Sequence, residues 1–403
     1  MAEQHIECKP KYEHDKCEDF RSLNLKFEGK NPYLGLDPKE YRLSYFIGLA
    51  WLEENKSYLA VLPKIENLDY IKMFVRCLYH PKISVHLKKI YHIDFEKPSI
   101  STDINVADLT PFMIIHFLSV IEKIVKQGLK SNYILKEENL NSKIKGKVIF
   151  SQQIKKNIVT KRNDRVFCRF QEYSTNCLEN RLFKKALLFT QRYITKHLNN
   201  YKILSQKTNH FLSIFENISN EISISEIKRI KINSLYKEYT EAIDLAKQIL
   251  RYFSYSYKET DKDKSAERKI PPFYIDMSIL FELYVYSLLN NCYGDEITYH
   301  SRGKSGETDF LKKNEKLIID TKYKKIYDGG EYKTEDIRQL SGYARDDGIL
   351  RKLGIFRDDI VVDCVIIYPA KEKEENFKNR KLKEEAIEGF TKFYKCGIKL
   401  PLR

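Results

Sequence analysis

The sequence predicts a mixed α/β fold built from more than one domain, and three observations carry that expectation. Apolar residues recur at helical spacing in some segments and in alternating or unbroken runs in others. Hydrophobic residues make up 42% of the chain, with 28 Tyr and 22 Phe against only 15 Gly, which suits packed cores rather than disorder. The length of 403 residues fits about two to three domains.

Residues 1–30 read as a polar leader. "YRLSYFIGLAWLEENKSYLAVL" (41–62) reads as two strands around the turn-forming "EENKS". "NLDYIKMFVRCLYH" and "LTPFMIIHFLSVIEKIVKQGL" (109–129) carry helical periodicity, the second with Pro111 near its start and Gly128 at its end. Residues 1–129 are therefore expected to form an N-terminal α+β domain. Residues 130–265 are expected to form a basic strand and loop region followed by long helices, the first of them "CLENRLFKKALLFTQRYITKHL" (177–198). The charged stretch "YKETDKDKSAERKIPP" (257–272) reads as a linker.

Residues 266–403 are expected to form a last domain of order α-β-β-β-α-β-α. "YIDMSILFELYVYSLLNN" reads as a helix, and "EITYHS", "ETDFL" and "KLIIDTKYK" as strands. "TEDIRQLSGYARDDG" reads as a helix capped by Thr334 and ended by Gly348. "DDIVVDCVIIYPA" reads as a buried strand and "LKEEAIEGFTKFYK" as a terminal helix.

The formal charge is +15, which points to a polyanionic partner, most simply nucleic acid. Residues 141–170 hold nine Lys/Arg and one acid, interleaved with apolar residues. Lys143, Lys145, Lys147, Lys155, Lys156, Lys161 and Arg162 are the candidate phosphate contacts; an intramolecular helix dock is a second use of this surface, and a solvated strand face beside a loop is the alternative to both. The eight scattered cysteines form no C-x-x-C pair and read as reduced core residues. With no secretion signal at the N-terminus and no run long enough to span a bilayer, a cytoplasmic protein is expected. His5, Cys8, His14 and Cys17 are N/S ligands in sequence proximity, at a spacing that matches no common zinc finger.

The chemistry concentrates in "TDFLKKNEKLIIDTKYK" (308–324). Alternation puts Asp320 and Lys322 on one strand face, and a tight turn at "KKNEK" brings Asp309 towards Asp320. Two carboxylates that near repel unless a cation intervenes. A divalent ion with oxygen ligands, Mg²⁺ or Mn²⁺, resolves the conflict. Glu282 falls on an apolar helix face, where a buried carboxylate needs a partner. The shared metal is one such partner; a Lys or Arg ion pair is the other. Glu282, Asp309 and Asp320 are thus the candidate metal ligands and, with Lys322, the candidate catalytic set. Lys322 is suited to polarise a water nucleophile or to stabilise charge on a phosphate. Lys324, Gln339 and Tyr343 are candidates to brace the site or touch the DNA backbone.

The pattern Thr308-Asp309…Asp320-Thr-Lys322, preceded by Glu282, resembles the PD-(D/E)xK nuclease superfamily, with Thr308 where proline is usual. More narrowly, the chain resembles the McrC family, the nuclease subunits of McrBC-type restriction systems. "LFELYVYSLL", "IIDTKYK" followed by "TEDIRQLSGYA", and the upstream "IKGKVIFSQQI" and "NRLFKKAL" with Asn180, Arg181 and Lys184 carry the likeness. The resemblance implies a restriction-endonuclease-like αβββαβ domain at 266–403 and an N-terminal domain that docks a partner. It also implies a McrB-like AAA+ ring hydrolysing GTP or ATP, and double-stranded DNA, modified or not, as substrate. The chain has no G-x-x-x-x-G-K-[ST] loop, so no nucleotide site of its own is expected. The rivals are a non-catalytic DNA-binding adaptor that activates an AAA+ NTPase, and a stand-alone repair nuclease.

Overall fold

In the computed structural model, residues 7–23, 25–28, 31–78, 83, 86–102, 110–230, 237–259, 268–356, 360–378 and 380–403 are described. They form a mixed α/β fold in two compact units, Met1–Phe112 with Ser265–Arg403, and Met113–Lys264. Among the described residues no helix is long and apolar enough to cross a membrane.

The first unit opens with strands β1 (Glu7–Tyr12), β2 (Phe46–Glu53), β3 (Ser57–Leu62), β4 (Tyr91–Ile93) and β5 (Ile100–Thr102), and the helix Tyr70–Leu78. The described residues of the expected polar leader, 7–23 and 25–28, are instead folded. β1 lies parallel to β3, and Cys17 and Phe20 are buried with Leu34, Leu43, Leu59 and Val61. Two well-placed apolar anchors hold an otherwise polar segment, too sparse a signal for a periodicity reading.

The second unit contains the helix Thr110–Gln127 from Met113 onwards and strands β6 (Asn132–Asn141), β7 (Lys147–Val148) and β8 (Arg165–Ser174) in the order β6-β8-β7. The extended structure expected through residues 141–170 is interrupted. Phe150–Gln153 is α-helical and Ile154–Ile158 continues as a π turn. Its anchor is buried Asn157, whose amide bonds Asn139, Gln153 and the Arg165 carbonyl. Helices Leu178–His197, Lys202–Ile214, Ile224–Arg229 and Lys237–Glu259 follow.

The chain then returns to the first unit through β9 (Arg268–Ile270) and β10 (Phe273–Asp276). β9 pairs with β5. The first three residues expected to be helical, Tyr274 to Asp276, instead belong to β10, which inserts between β2 and β4 to give the sheet order β1-β3-β2-β10-β4. Gly48 permits this. Its φ is +148, and a Cβ there would lie 2.1 Å from the Phe273 carbonyl oxygen.

Asp276 ends β10 and caps the helix Met277–Tyr293 by accepting from the Ser278 and Ile279 amides. That helix is buried on nearly every side, and each fully buried Leu or Phe on it contributes roughly 1.5–3 kcal/mol. Strands β11 (Ile297–Arg302), β12 (Glu307–Lys312), β13 (Leu317–Thr321), β14 (Asp363–Ala370), β15 (Glu385–Ala386) and β16 (Phe393–Lys399) complete a second sheet of order β11-β12-β13-β14-β16-β15. β11, β12 and β13 are antiparallel, and β14 and β16 add in parallel. One face packs Leu311, Ile318 and Ile366 against Ile337, Leu340 and Tyr343 of the helix Thr334–Tyr343.

Two details of the sequence reading are corrected here. The expected terminal helix is instead strand β15, a turn and the start of strand β16, because Phe393, Cys396 and Ile398 bury against β14. The helix expected across 334–348 breaks at Tyr343, and a second helix, Asp347–Lys352, starts under the Asp346 cap. Gly348 lies inside that second helix, and Thr334 is its predecessor's first residue, with Lys333 at the cap position.

Candidate active site

β13 leads its carboxylate to the edge of the core. Ile318 and Asp320 project together, and Asp320 is only 2% exposed. The antiparallel register pairs Phe310 with Ile319, so Asp309 faces Asp320 one step further on. Asp309 is half-buried, and its Oδ2 accepts from the Thr321 amide at 2.7 Å and the Thr321 hydroxyl at 2.5 Å. Burial, then the nearby Asp320 and Glu282 charges, push the Asp309 carboxyl well above the usual carboxylate range. Burial also raises Asp320, against the pull of Lys322.

Lys322 Nζ lies 2.5 Å from Asp320 Oδ2 and donates to Gln339 Oε1 at 2.9 Å. Burial alone would lower the ammonium's proton affinity. The carboxylates of Asp320, Asp309 and Asp336 outweigh it and hold Lys322 above the ordinary lysine value. Gln339 in turn donates to the Tyr343 hydroxyl at 2.8 Å. Lys324 bonds both carboxylate oxygens of Asp336, and the Tyr327 hydroxyl donates to the same group at 2.6 Å. Gln339 and Tyr343 therefore brace Lys322, and Lys324 neutralises Asp336.

Among the described residues Glu282 has neither a Lys nor an Arg partner. Its Oε1 accepts from the Tyr299 hydroxyl at 2.7 Å and bonds His300 Nε2 at 2.8 Å. His300 was missed by the sequence reading, which took "EITYHS" only as a strand. It sits at φ +52 between the pairs Tyr299–Phe310 and Ser301–Thr308, opposite Asp309. A left-handed residue inside a strand is uncommon outside glycine and marks strain held by its surroundings. The Tyr-His pair across from Thr-Asp was the available signal.

Among the described residues no three carboxylate, imidazole or thiolate groups are gathered tightly enough to ligate one ion. Each acid is turned to a protein donor: Glu282 to Tyr299 and His300, Asp309 to Thr321, Asp320 to Lys322. The donor chemistry nonetheless fits a hard divalent cation. The donors are all oxygens, and the mutual repulsion of Asp309, Asp320 and Glu282 is what such an ion relieves.

The N-terminal N/S set is different. His5 lies outside the described residues, His14 stacks on Tyr45 at 4.9 Å, and burial pushes the Cys17 thiol up to about 11, disfavouring the thiolate a metal needs. The seven cysteines whose side chains are described, Cys8 not among them, are free, and six of them are buried.

In the second unit, Lys143, Lys145, Lys147, Lys155, Lys156, Lys161 and Arg162 are all exposed on β7, its flanking loops and the helical turn. Among the described residues no helix covers them. Ile144, Phe150, Ile158 and Val159 are exposed among them. The Lys145 and Lys156 ammonium groups lie over the Phe170 and Phe167 rings, at 4.3 and 4.5 Å. Asn180, Arg181 and Lys184 turn out to hold the chain together. Asn180 donates to the Lys130 and Thr175 carbonyls, Arg181 to Asn176, and Lys184 to the Glu216 and Ile218 carbonyls.

Among solved structures, the chain is similar to a half-complex from a tetradecameric assembly of Thermococcus gammatolerans McrB AAA+ hexamers with bound McrC. Identity is 16% over 97% of this chain and 94% of that one, with a TM-score of 0.38. It is also similar to the cryo-EM structure of the Thermococcus gammatolerans McrBC complex, at 16% identity over 70% of this chain and 87% of that one, with a TM-score of 0.33. No curated protein matches it. The family model described as McrBC 5-methylcytosine restriction system component matches residues 42–347. With three quarters of its length inside that match, the chain belongs to the McrBC 5-methylcytosine restriction system component family.

Proposed function

We propose that the chain is the divalent-metal-dependent DNA endonuclease subunit of its restriction system, hydrolysing phosphodiesters without a covalent enzyme intermediate. The observation that carries this reading is the ion pair of Lys322 with buried Asp320, beside Asp309 and Glu282. Glu282, Asp309 and Asp320 would hold Mg²⁺ or Mn²⁺. When bound, such an ion supplies Lewis acidity towards phosphate oxygens and a more acidic water nucleophile.

The chain's own residues do the rest. Lys322 keeps its proton, because three carboxylates raise its affinity for it. It therefore acts as a fixed positive charge towards a phosphate, and not as a base. Gln339, held by Tyr343, fixes where that charge sits. Thr321 orients Asp309, and Tyr299 with His300 orients Glu282.

The exposed cations from Lys143 to Arg162 are read as the DNA-facing surface. Each phosphate they neutralise lowers the slope of log affinity against log salt by about 0.9. The partner reading, a McrB-like AAA+ ring using GTP or ATP, draws on family membership and on the sequence motifs.

The test is plasmid nicking with Mg²⁺ or Mn²⁺ in the presence of a McrB-like AAA+ ring subunit. Asp320→Asn should abolish nicking while leaving assembly with the ring unchanged. Undiminished cutting by that variant rules the site out. A second reading, a non-catalytic DNA-binding adaptor of the ring, is favoured by one observation: each acid already has a protein donor. It requires that wild-type chain never nicks with any divalent ion, and that Lys322 be dispensable for NTPase stimulation.

A further inference from the structure

We propose that Lys64 is a positioning residue of the candidate active site, fixing Lys322 by holding the backbone of the next residue, Tyr323. This rests on the nuclease reading above.

β13 ends at Thr321, so Lys322 stands where the chain leaves the sheet. Its amide still donates to the Ile367 carbonyl at 2.9 Å, but the Lys324 amide turns back to the Lys322 carbonyl at 2.7 Å. Beyond that point no ladder holds the backbone, and the placement of the Lys322 ammonium depends on what grips the turn. On one side the grip is side-chain chemistry: Lys322 to Asp320 and Gln339, Lys324 to Asp336.

On the other side it comes from 259 positions earlier in the sequence. Lys64 Nζ donates to the Tyr323 carbonyl at 2.9 Å. The same ammonium lies 4.3 Å from the Tyr323 ring centroid and 4.2 Å from that of Tyr45, in the corner between two edge-to-face rings whose centroids are 6.1 Å apart, where cation–π attraction to each ring helps to fix it. The tie is reciprocal, since Lys325 Nζ donates to the Lys64 carbonyl at 2.5 Å. Glu13 closes the ring of contacts. Its Oε1 accepts from the Lys64 amide at 3.1 Å and from the Tyr323 hydroxyl at 3.4 Å.

The arrangement is more specific than packing requires. Burial pulls the Lys64 ammonium down to about 8, with Glu13 opposing and Lys325 and Lys324 adding to the fall. An apolar side chain would fill the corner beside the two tyrosine rings without that desolvation. Only a donor long enough to reach the Tyr323 carbonyl can grip the turn.

The experiment uses the full chain with its ring subunit, measuring kcat and KM for Mn²⁺-dependent plasmid nicking. Lys64→Met, which keeps the stem, should lower kcat about a hundredfold with KM for DNA and NTPase stimulation unchanged, because a small misplacement of a charge at the reacting centre has effects of that size. Lys64→Arg, which restores a long cationic donor, should recover activity to within about threefold of wild type. Asp320→Asn runs alongside. If it still nicks, the nuclease reading fails. If it is inactive while folded Lys64→Met cuts with wild-type kcat, the positioning role alone is overturned. A loss shared equally between kcat and KM and not rescued by Arg also overturns it. Should Lys64→Met fail to fold, Lys64→Gln, too short to reach the carbonyl, carries the test: wild-type kcat in that variant overturns the proposal.

Discussion

Asp309 points its carboxylate at Thr321, taking both the amide and the hydroxyl of that residue onto one oxygen at 2.7 and 2.5 Å. The acid of one strand thereby caps the end of the next, and Thr321 decides how Asp309 is presented. Thr321→Val removes the hydroxyl at nearly constant volume and leaves the amide in place. Loss of a partner that orients a metal ligand typically costs about 10–100-fold in metal affinity. The half-saturating Mn²⁺ concentration for nicking should rise by that amount, and excess Mn²⁺ should recover the rate. A metal titration of the variant checks this.

His300 sets up a comparison between two substitutions. His300→Ala and His300→Gly both delete the contact to Glu282 at 2.8 Å, so both should weaken divalent-ion binding by a similar factor. They should differ in stability. The backbone at φ +52 disfavours a Cβ by roughly 1–2 kcal/mol, partly offset by glycine's greater freedom in the unfolded chain. The Gly variant should melt at or above the Ala variant. A Gly variant clearly less stable than Ala would mean that the left-handed backbone stores no strain.

Much of this site was legible because strands impose a two-residue period and a tight turn fixes register. Asp309, Asp320 and Lys322 follow from that arithmetic alone, and Glu282 from its place on a helix apolar all round. The features that escaped were long-range or irregular. Glu282 has Tyr299 and His300 as partners, and the left-handed His300 reflects a local irregularity that alternation does not announce. β10 crosses into the N-terminal sheet because Gly48 has no side chain, which no local pattern around residue 273 reveals. The C-terminal segment read as helix because Glu and Lys dominate it. Its fate was decided by the β14 edge waiting to pair with Phe393–Lys399, a tertiary term that overrides propensity.

Glu13 gives a pH signature. Burial, offset in part by Lys64, raises its carboxyl to about 7 from an ordinary 4.5. A group with a raised folded-state pKa stabilises the fold most below its unfolded value, and that contribution is lost as pH climbs through the folded value. Stability should therefore fall between about pH 4.5 and 7 on this account. Lys64, lowered to about 8, has the opposite sign. Its contribution is present above the ordinary lysine value and lost as pH falls through about 8. Glu13→Gln should flatten the acid-side slope. Melting curves of wild type and variant at pH 5 and pH 7.5 test it: the variant should gain on wild type at the higher pH. An unchanged difference between the two pH values would assign the slope to other groups.

The Lys322–Asp320 pair should show strong coupling between its members. Lys322 Nζ and Asp320 Oδ2 are 2.5 Å apart, with Asp320 2% exposed. Lys322→Met strands a buried carboxylate, and removing one partner of a buried pair costs about 3–5 kcal/mol. Asp320→Asn strands the ammonium less severely, because Gln339 remains as an acceptor and Asp336 lies 4.0 Å away. The double variant removes both charges. Its destabilisation should be smaller than the sum of the two single effects by at least about 1 kcal/mol, the interaction expected of contacting charges. Both single variants should be inactive in nicking, so stability and activity part company: the double variant recovers the fold without recovering the reaction. Denaturant unfolding of all four proteins completes the cycle. Strict additivity would mean that the two groups do not interact in solution and that the lysine's place beside the acid has some other cause.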